Sequence, residues 1–275
     1  MNYFKLIRRI EINPTELCNL TCSFCPRGNG YPNQNLHIDL DTVREIRKQL
    51  DESGYNRLVS VTGRGEPTLT KDFDKLLDIL FDNNPKYSVY MNTNGKKLDK
   101  YEKYIPKFYY INYDVYENST AAIKIAKRKY EKYPNVRIKF KPDLGGDYGE
   151  WNEDKGWVKE SYKNFSNRGG ALKTKEKNNH QNQPCNFLFE KMYINYNGDY
   201  NLCCDDWVHL KMSNIFDESI PDYINKNENL KKYREMHLSG KRSCHGLCVN
   251  CDRVAPLGIP VQYELHKYLN AKDGK

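Results

Sequence analysis

Three cysteines near the start of the chain, Cys18, Cys22 and Cys25, are spaced Cys-x3-Cys-x2-Cys on one short stretch. Grouped thiolates are soft ligands, suited to zinc or to an iron–sulfur cluster. On a cubane of four irons, three protein ligands leave one iron without any. An open iron can bind a further molecule, whereas a site closed by four ligands is structural or carries electrons. A second group lies far down the chain: Cys185, Cys203, Cys204, Cys244, Cys248 and Cys251, with none between Cys25 and Cys185. Nine cysteines is an odd total, and they are clustered. That points to metal or catalytic chemistry and away from a simple disulfide framework. Four thiolates of the second group suit a zinc ribbon and an iron–sulfur cluster equally well. Cys203 and Cys204 alternate faces on a strand, so only one can point at a given metal.

The elements that must carry these residues alternate between strand and helix. Arg9–Asn13, Arg57–Thr62, Tyr87–Asn92, Tyr109–Asp114 and Val136–Lys141 read as strands. Between them, Leu40, Val43, Ile46 and Leu50 share one helical face, with Asp39 or Asp41 as its cap. Phe73, Leu76, Leu77, Leu80 and Phe81 share another, and Ile123, Ala126 and Tyr130 mark a third. This order implies parallel strands covered by helices, as an open or closed (β/α) barrel or as a doubly wound sheet. In either, functional groups collect on loops at the C-terminal ends of strands. The first cysteines directly follow the first strand. Gly63-Arg64-Gly65-Glu66-Pro67 ends the second, and Met91-Asn92-Thr93-Asn94-Gly95 ends the third. The fourth ends at Tyr113-Asp114. The glycines let backbone approach a ligand closely. The polar run Lys173–Pro184 reads as a linker. Beyond it, Met192–Tyr196, Asn197-Gly198 and Tyr200–Cys204 read as a hairpin, and Leu230, Tyr233 and Met236 as a short helix. We therefore expect two domains, 1–170 and 171–275.

Taken in order, these motifs resemble those of the radical S-adenosylmethionine (SAM) superfamily. The resemblance covers about Ile7–Gly170. It implies a partial (β/α)6 TIM-like barrel in which Cys18, Cys22 and Cys25 hold a [4Fe–4S] cluster. The cluster's open iron would bind the amino and carboxylate groups of SAM and split it to a 5′-deoxyadenosyl radical. Phe24, just before the last cysteine, matches the family's aromatic position. Gly63, Gly65, Glu66 and Pro67 are similar to its Gly-Gly-Glu-Pro motif, which binds the methionyl amino group. Arg64 replaces a glycine there, and a solvated side chain is the plain expectation for it. Thr93 and Asn94 match a Thr-Asn-Gly segment near SAM, and Asp114 a polar position near the ribose. The second cysteine group resembles the half-size twitch relative of the SPASM domain, a small α+β module. That pattern implies one auxiliary [4Fe–4S] cluster on Cys185, Cys203, Cys248 and Cys251, with Cys204 and Cys244 as possible substitutes.

The segment Phe165–Leu172 resembles one found shortly before the first auxiliary cysteine in such enzymes, aminocyclitol dehydrogenases among them. It would turn Arg168 toward SAM or substrate; an arginine paired with acids is the alternative. The expected activity is oxidation of a small polar substrate: a sugar, an aminocyclitol or a nucleotide-like metabolite. A hydrogen beside a hydroxyl is removed, a proton and a second electron follow, and the auxiliary cluster takes that electron. Arg168, Lys141, His245 and Tyr113 are the candidate bases, and Pro142–Trp151 a candidate binding loop. An external donor such as flavodoxin or ferredoxin is implied. A peptide-modifying enzyme, a nucleotide cyclase and a metal-binding nucleic-acid protein are the competing classes. The net charge is +8, but the lysines are spread along the chain among acids, so no nucleic-acid partner is expected. Residues 1–12 are charged and no apolar run is long enough to cross a bilayer. These features predict a cytoplasmic protein without a membrane partner.

Overall fold

Apolar residues at the spacings noted above become strands and helices that bury them. The computed structural model describes residues 2–117, 119–140, 148–152, 156–160, 166–173, 183–242, 246–253, 255–259 and 261–264. These fall into two compact units, one of Glu11–Phe165 with Asn195–Asn197, the other of Met1–Ile10, Ser166–Ile194 and Gly198–Lys275.

The expected alternation is present: β1 (Arg9–Ile12), whose last two residues open the larger unit, then α1 (Leu40–Glu52), β2 (Leu58–Val61), α2 (Phe73–Phe81), β3 (Ser88–Thr93), β4 (Tyr110–Val115), α3 (Thr120–Tyr130) and β5 (Val136–Phe140) within it. A 3-10 segment, Leu98–Lys107, joins β3 to β4. Asp39, rather than Asp41, caps α1, its carboxylate accepting from the Thr42 N–H at 2.7 Å. Val43, Ile46 and Leu50 of α1 and Phe73, Leu76, Leu77 and Leu80 of α2 are buried. Each such side chain is worth roughly 1.5–3 kcal/mol of transfer free energy. The strand order is β1-β2-β3-β4-β5-β6-β7, and β2 through β5 pair in parallel. Val61 is opposite Met91 and Thr93 opposite Tyr113. The C-terminal ends of three strands, where the motifs lie, therefore share one edge of the sheet.

Beyond β5 the sheet continues with antiparallel β6 (Tyr148–Asn152) and β7 (Gly156–Glu160). The expected loop Pro142–Trp151 thus ends inside β6, and its first six residues lie outside the described residues.

The smaller unit holds α4 (Phe187–Glu190), β8 (Lys191–Ile194), β9 (Asp199–Asn201), β10 (Lys211–Asn214), α5 (Ile220–Lys226) and α6 (Glu228–Leu238). β8 and β9 form the expected antiparallel hairpin, Ile194 opposite Tyr200. Gly198 takes φ +79° at its turn, a conformation that costs glycine little. β10 adds to β9, and the Tyr200 ring packs on Tyr223 of α5 at 4.4 Å. Among the described residues no helix is long and apolar enough to cross a membrane.

Candidate functional site

The stretch after β1 is held at both ends. The Thr15 hydroxyl donates to the Leu36 carbonyl at 2.8 Å and accepts from the Leu17 N–H at 3.0 Å. Cys18 and Asn33 exchange reciprocal hydrogen bonds of 2.9 Å through the Asn33 amide. The Cys25 N–H donates to the Cys22 carbonyl, and the Gly28 N–H to the Cys25 carbonyl, both at 3.0 Å. Cys18, Cys22 and Cys25 are thus drawn onto one tight, partly exposed loop, and none is in a disulfide. Burial pushes the Cys18 thiol up, and the nearby charges of Glu66 and Cys25 push the same way. Thiols so placed need a cation to become thiolates, which a bound metal centre supplies.

Glu66 is the hub of the adjoining strand ends. Its Oε1 accepts from the Thr68 hydroxyl at 2.6 Å, the Thr93 hydroxyl at 2.6 Å and the Thr68 N–H at 3.1 Å. Its Oε2 accepts from the Asn94 N–H at 2.8 Å. Burial pushes this carboxyl up against the pull of those bonds. Pro67 opens the following 3-10 turn. Gly65 has no room for a side chain, because a Cβ would sit 2.3 Å from the Thr15 carbonyl oxygen. The Glu66 N–H reaches the Leu17 carbonyl at 2.8 Å, and the Asn94 amide reaches Asn19 at 2.7 Å. The Gly-x-Gly-Glu-Pro and Thr-Asn-Gly segments are therefore both tied to the cysteine loop. Phe24 packs against Tyr116 at 5.7 Å, and the Tyr116 hydroxyl donates to buried Asp114 at 3.4 Å. Gly65, Glu66 and Asn94 thus meet the cysteine loop directly, Thr93 joins them through Glu66, Asp114 reaches Phe24 of the loop through Tyr116, and Gly63 lies against Asn13.

Arg64 departs from the expectation of a solvated side chain: it is 8% exposed. Its guanidinium meets Glu16 at 3.3 Å and Asn195 at 3.4 Å, and its N–H donates to Asn13 at 2.9 Å. Arg27 closes on the same carboxylate at 2.8 Å and holds the Arg64 carbonyl at 2.8 Å. Asn13 donates to both Glu16 and Asn195, at 2.8 and 2.7 Å. Tyr31 is pushed up to about 12 by burial and by the Glu16 charge. This buried cluster was not foreseen. Its members are polar residues with no periodic signal, and only the fold brings them together.

In the smaller unit, Cys185, Cys203, Cys248 and Cys251 share one electrostatic neighbourhood. Partial burial and then the charges of Asp205, Cys204, Cys185 and Cys248 push the Cys203 thiol up. Burial, then Cys251 and Cys185, push Cys248 up to about 12. Cys185 is raised by burial, with Cys251 adding to it. Cys203 feels Cys204 as well as Cys185 and Cys248, so both members of the adjacent pair lie close to this group of thiols. Cys244 lies outside the described residues. Around the thiols stand buried polar groups. The Cys185 N–H donates to His237 Nδ1 at 3.1 Å, and His237 Nε2 lies 3.4 Å from Cys248 Sγ. His237 is pushed down to about 4, by burial and then by Arg242. Arg242 is 2% exposed and donates to Cys251 Sγ at 3.5 Å. Among the described residues it has no carboxylate partner within ion-pair distance. A buried guanidinium stays charged and needs an anion. Four thiolates around a metal cluster provide one, so these residues fit an iron–sulfur group.

Arg168 pairs with Asp205 at 3.3 Å, and Asp205 is also bound by Arg253. Burial alone would raise Asp205, but these two guanidiniums hold it below the usual carboxylate range. Of the other candidate bases, Lys141 and His245 lie outside the described residues. Tyr113 packs edge-on to Tyr130 at 5.6 Å, and burial pushes its phenol up, which makes it a poor proton acceptor near neutral pH.

Comparison with known proteins agrees with this geometry. A model of the radical SAM superfamily matches residues 12–136, and one of an iron–sulfur cluster-binding SPASM domain matches residues 185–252. The chain carries a radical SAM domain followed by a C-terminal SPASM domain and is an iron–sulfur enzyme that uses SAM. Over nearly its whole length it is similar to the S-adenosyl-L-methionine-dependent 2-deoxy-scyllo-inosamine dehydrogenase of Niallia circulans, with 24% identity across 91% of this chain and 95% of that one. A probable GTP 3′,8-cyclase of Archaeoglobus fulgidus is 36% identical, but across only 36% of this chain and 31% of that protein. In fold, the chain is similar to BtrN crystallised with AdoMet and 2-DOIA, with a TM-score of 0.72, 20% identity and coverage of 92% and 96%. SuiB of Streptococcus suis, bound to the precursor peptide SuiA, gives a TM-score of 0.52, 16% identity and coverage of 90% and 70%.

Proposed function

We propose that this enzyme dehydrogenates a secondary hydroxyl of a small polyhydroxylated substrate, an aminocyclitol or a close relative. The observation that carries this reading is end-to-end similarity to one aminocyclitol dehydrogenase; the mutual electrostatic influence of Cys185, Cys203, Cys248 and Cys251 in the smaller unit supports it. In this reading Cys18, Cys22 and Cys25 hold the SAM-binding cluster. Glu66, Pro67, Gly63, Gly65, Thr93 and Asn94 form the seat for the methionyl end of SAM, and Asp114 with Phe24 the side toward its adenosine. Once bound, cluster and SAM together supply a carbon radical that takes a hydrogen atom from an unactivated C–H bond. The substrate carbon gives up that hydrogen atom, its hydroxyl gives up a proton, and one electron remains to be carried away. Cys185, Cys203, Cys248 and Cys251 hold the cluster suited to receive it. Arg168 enters as a group that contacts substrate or SAM, steadied by Asp205. The first electron comes from a small carrier such as flavodoxin or ferredoxin, and free thiols in this number fit a cytoplasmic, reducing setting.

The test is anaerobic reconstitution, an iron and zinc count, then reductant, SAM and a panel of aminocyclitols and sugars. About eight irons, 5′-deoxyadenosine and a ketone in equal amount are expected. The Cys18→Ala/Cys22→Ala/Cys25→Ala variant should keep about four irons and form no 5′-deoxyadenosine. Formation of 5′-deoxyadenosine without any ketone across the panel would point to another substrate class.

A further inference from the structure

We propose that His237 and Arg242 raise the reduction potential of the auxiliary cluster by donating hydrogen bonds to its cysteine sulfurs. The inference rests on the assignment of Cys185, Cys203, Cys248 and Cys251 as the ligands of that cluster.

The tautomer of His237 follows from its contacts. A backbone N–H can only donate, so the Cys185 N–H at 3.1 Å requires a lone pair on Nδ1. The single ring proton of the neutral imidazole is then on Nε2, and Nε2 lies 3.4 Å from Cys248 Sγ. One buried ring on the last turn of α6 thereby fixes the backbone of one ligand and donates to the sulfur of another. Cys251 Sγ receives two donors, the Arg242 guanidinium and the Arg253 N–H, each at 3.5 Å. Arg242 is further pinned by the Arg253 carbonyl at 2.9 Å. Its Nε is buried with no hydrogen-bond partner. The Arg242 charge is felt at Cys185, Cys248 and Cys251 alike.

Adding an electron to an iron–sulfur cluster makes its sulfurs more negative. Donors and a buried cation beside them stabilise the reduced form more than the oxidised one, so the potential rises. A site meant to draw an electron from substrate benefits from that bias, whereas a purely structural site has no use for it. His237 and Arg242 are positioning residues here, acting through the thiolates and not on substrate.

The experiment uses the full chain with Cys18→Ala/Cys22→Ala/Cys25→Ala, so that a single cluster is observed. Iron is counted and the midpoint is read by redox titration with electron paramagnetic resonance. His237→Leu and Arg242→Met should each shift the one-electron equilibrium at least tenfold against reduction, about 59 mV downward. His237→Gln, which keeps an acceptor and a donor, should restore most of the shift. Four irons with an unchanged midpoint in both variants would overturn the inference and leave the cluster assignment standing. Zinc in place of iron would overturn both. If the two variants lose their iron, the protein with native His237 decides. [15N]Histidine labelling should give a nitrogen coupling to the reduced cluster, and no such coupling would refute the role of His237.

Discussion

Glu16 is fully buried and is shared by two arginines, Arg27 and Arg64. Removing one partner of a buried ion pair costs about 3–5 kcal/mol, because the survivor is left charged in a dry site. Glu16→Gln strands two guanidiniums, whereas Arg64→Ala leaves Glu16 still held by Arg27 and Asn13. We expect Glu16→Gln to lose about 3–5 kcal/mol in chemical denaturation of the metal-free protein, and Arg64→Ala clearly less. Equal losses would mean that the three side chains do not share the load as drawn. Motif matching pointed to the neighbours of Arg64 and not to Arg64 itself. Glu66, Thr93 and Asn94 belong to short runs with recognisable spacing, and the structure gathers them on one carboxylate. Glu16, Arg27, His237 and Arg242 belong to no run. Their value lies in which tertiary neighbour each meets, and nothing in local sequence encodes that.

At the scale of elements, the strands from β1 through β5 were legible to within a residue or two; the β8–β9 hairpin was legible as well, although β9 ends at Asn201, three residues short of the expected Cys204. Apolar spacing and Asn-Gly turn chemistry set them locally. β6, β7, β10 and α5 were not. They are short and weakly patterned, and partners elsewhere in the chain specify them more than their own sequence does. The loop carrying Cys18, Cys22 and Cys25 makes a sharper demand. A Cβ on Gly28 would lie 2.3 Å from the Cys22 carbonyl oxygen, and backbone atoms cannot yield cheaply. Gly28→Ala should therefore displace Cys22, halve the iron from about eight to about four per chain and abolish 5′-deoxyadenosine formation. Full iron and full SAM cleavage in this variant would show that the loop closes in some other way.

In the proposed reading the two thiol groups divide the labour across the molecule, one for making a radical and one for taking the last electron. Cys185→Ala/Cys251→Ala should leave about four irons and keep SAM cleavage, while ketone formation is lost. Product analysis by mass spectrometry beside 5′-deoxyadenosine measurement separates the two. Ketone at the wild-type rate would remove the auxiliary cluster from the reaction.

The threading of the chain adds a last point. Asn195–Asn197 belong to the larger unit, although the sequence around them builds the smaller one, and Met1–Ile10 make the reverse exchange. Asn195 receives the amide of Asn13 and the guanidinium of Arg64. During synthesis the ribosome releases Asn13 and Arg64 long before Asn195 exists, so the larger unit cannot finish folding as a nascent domain. No single cut yields two intact halves. Exchanging the smaller unit's segment by recombination would therefore also take away Asn195, the acceptor for Asn13 and Arg64.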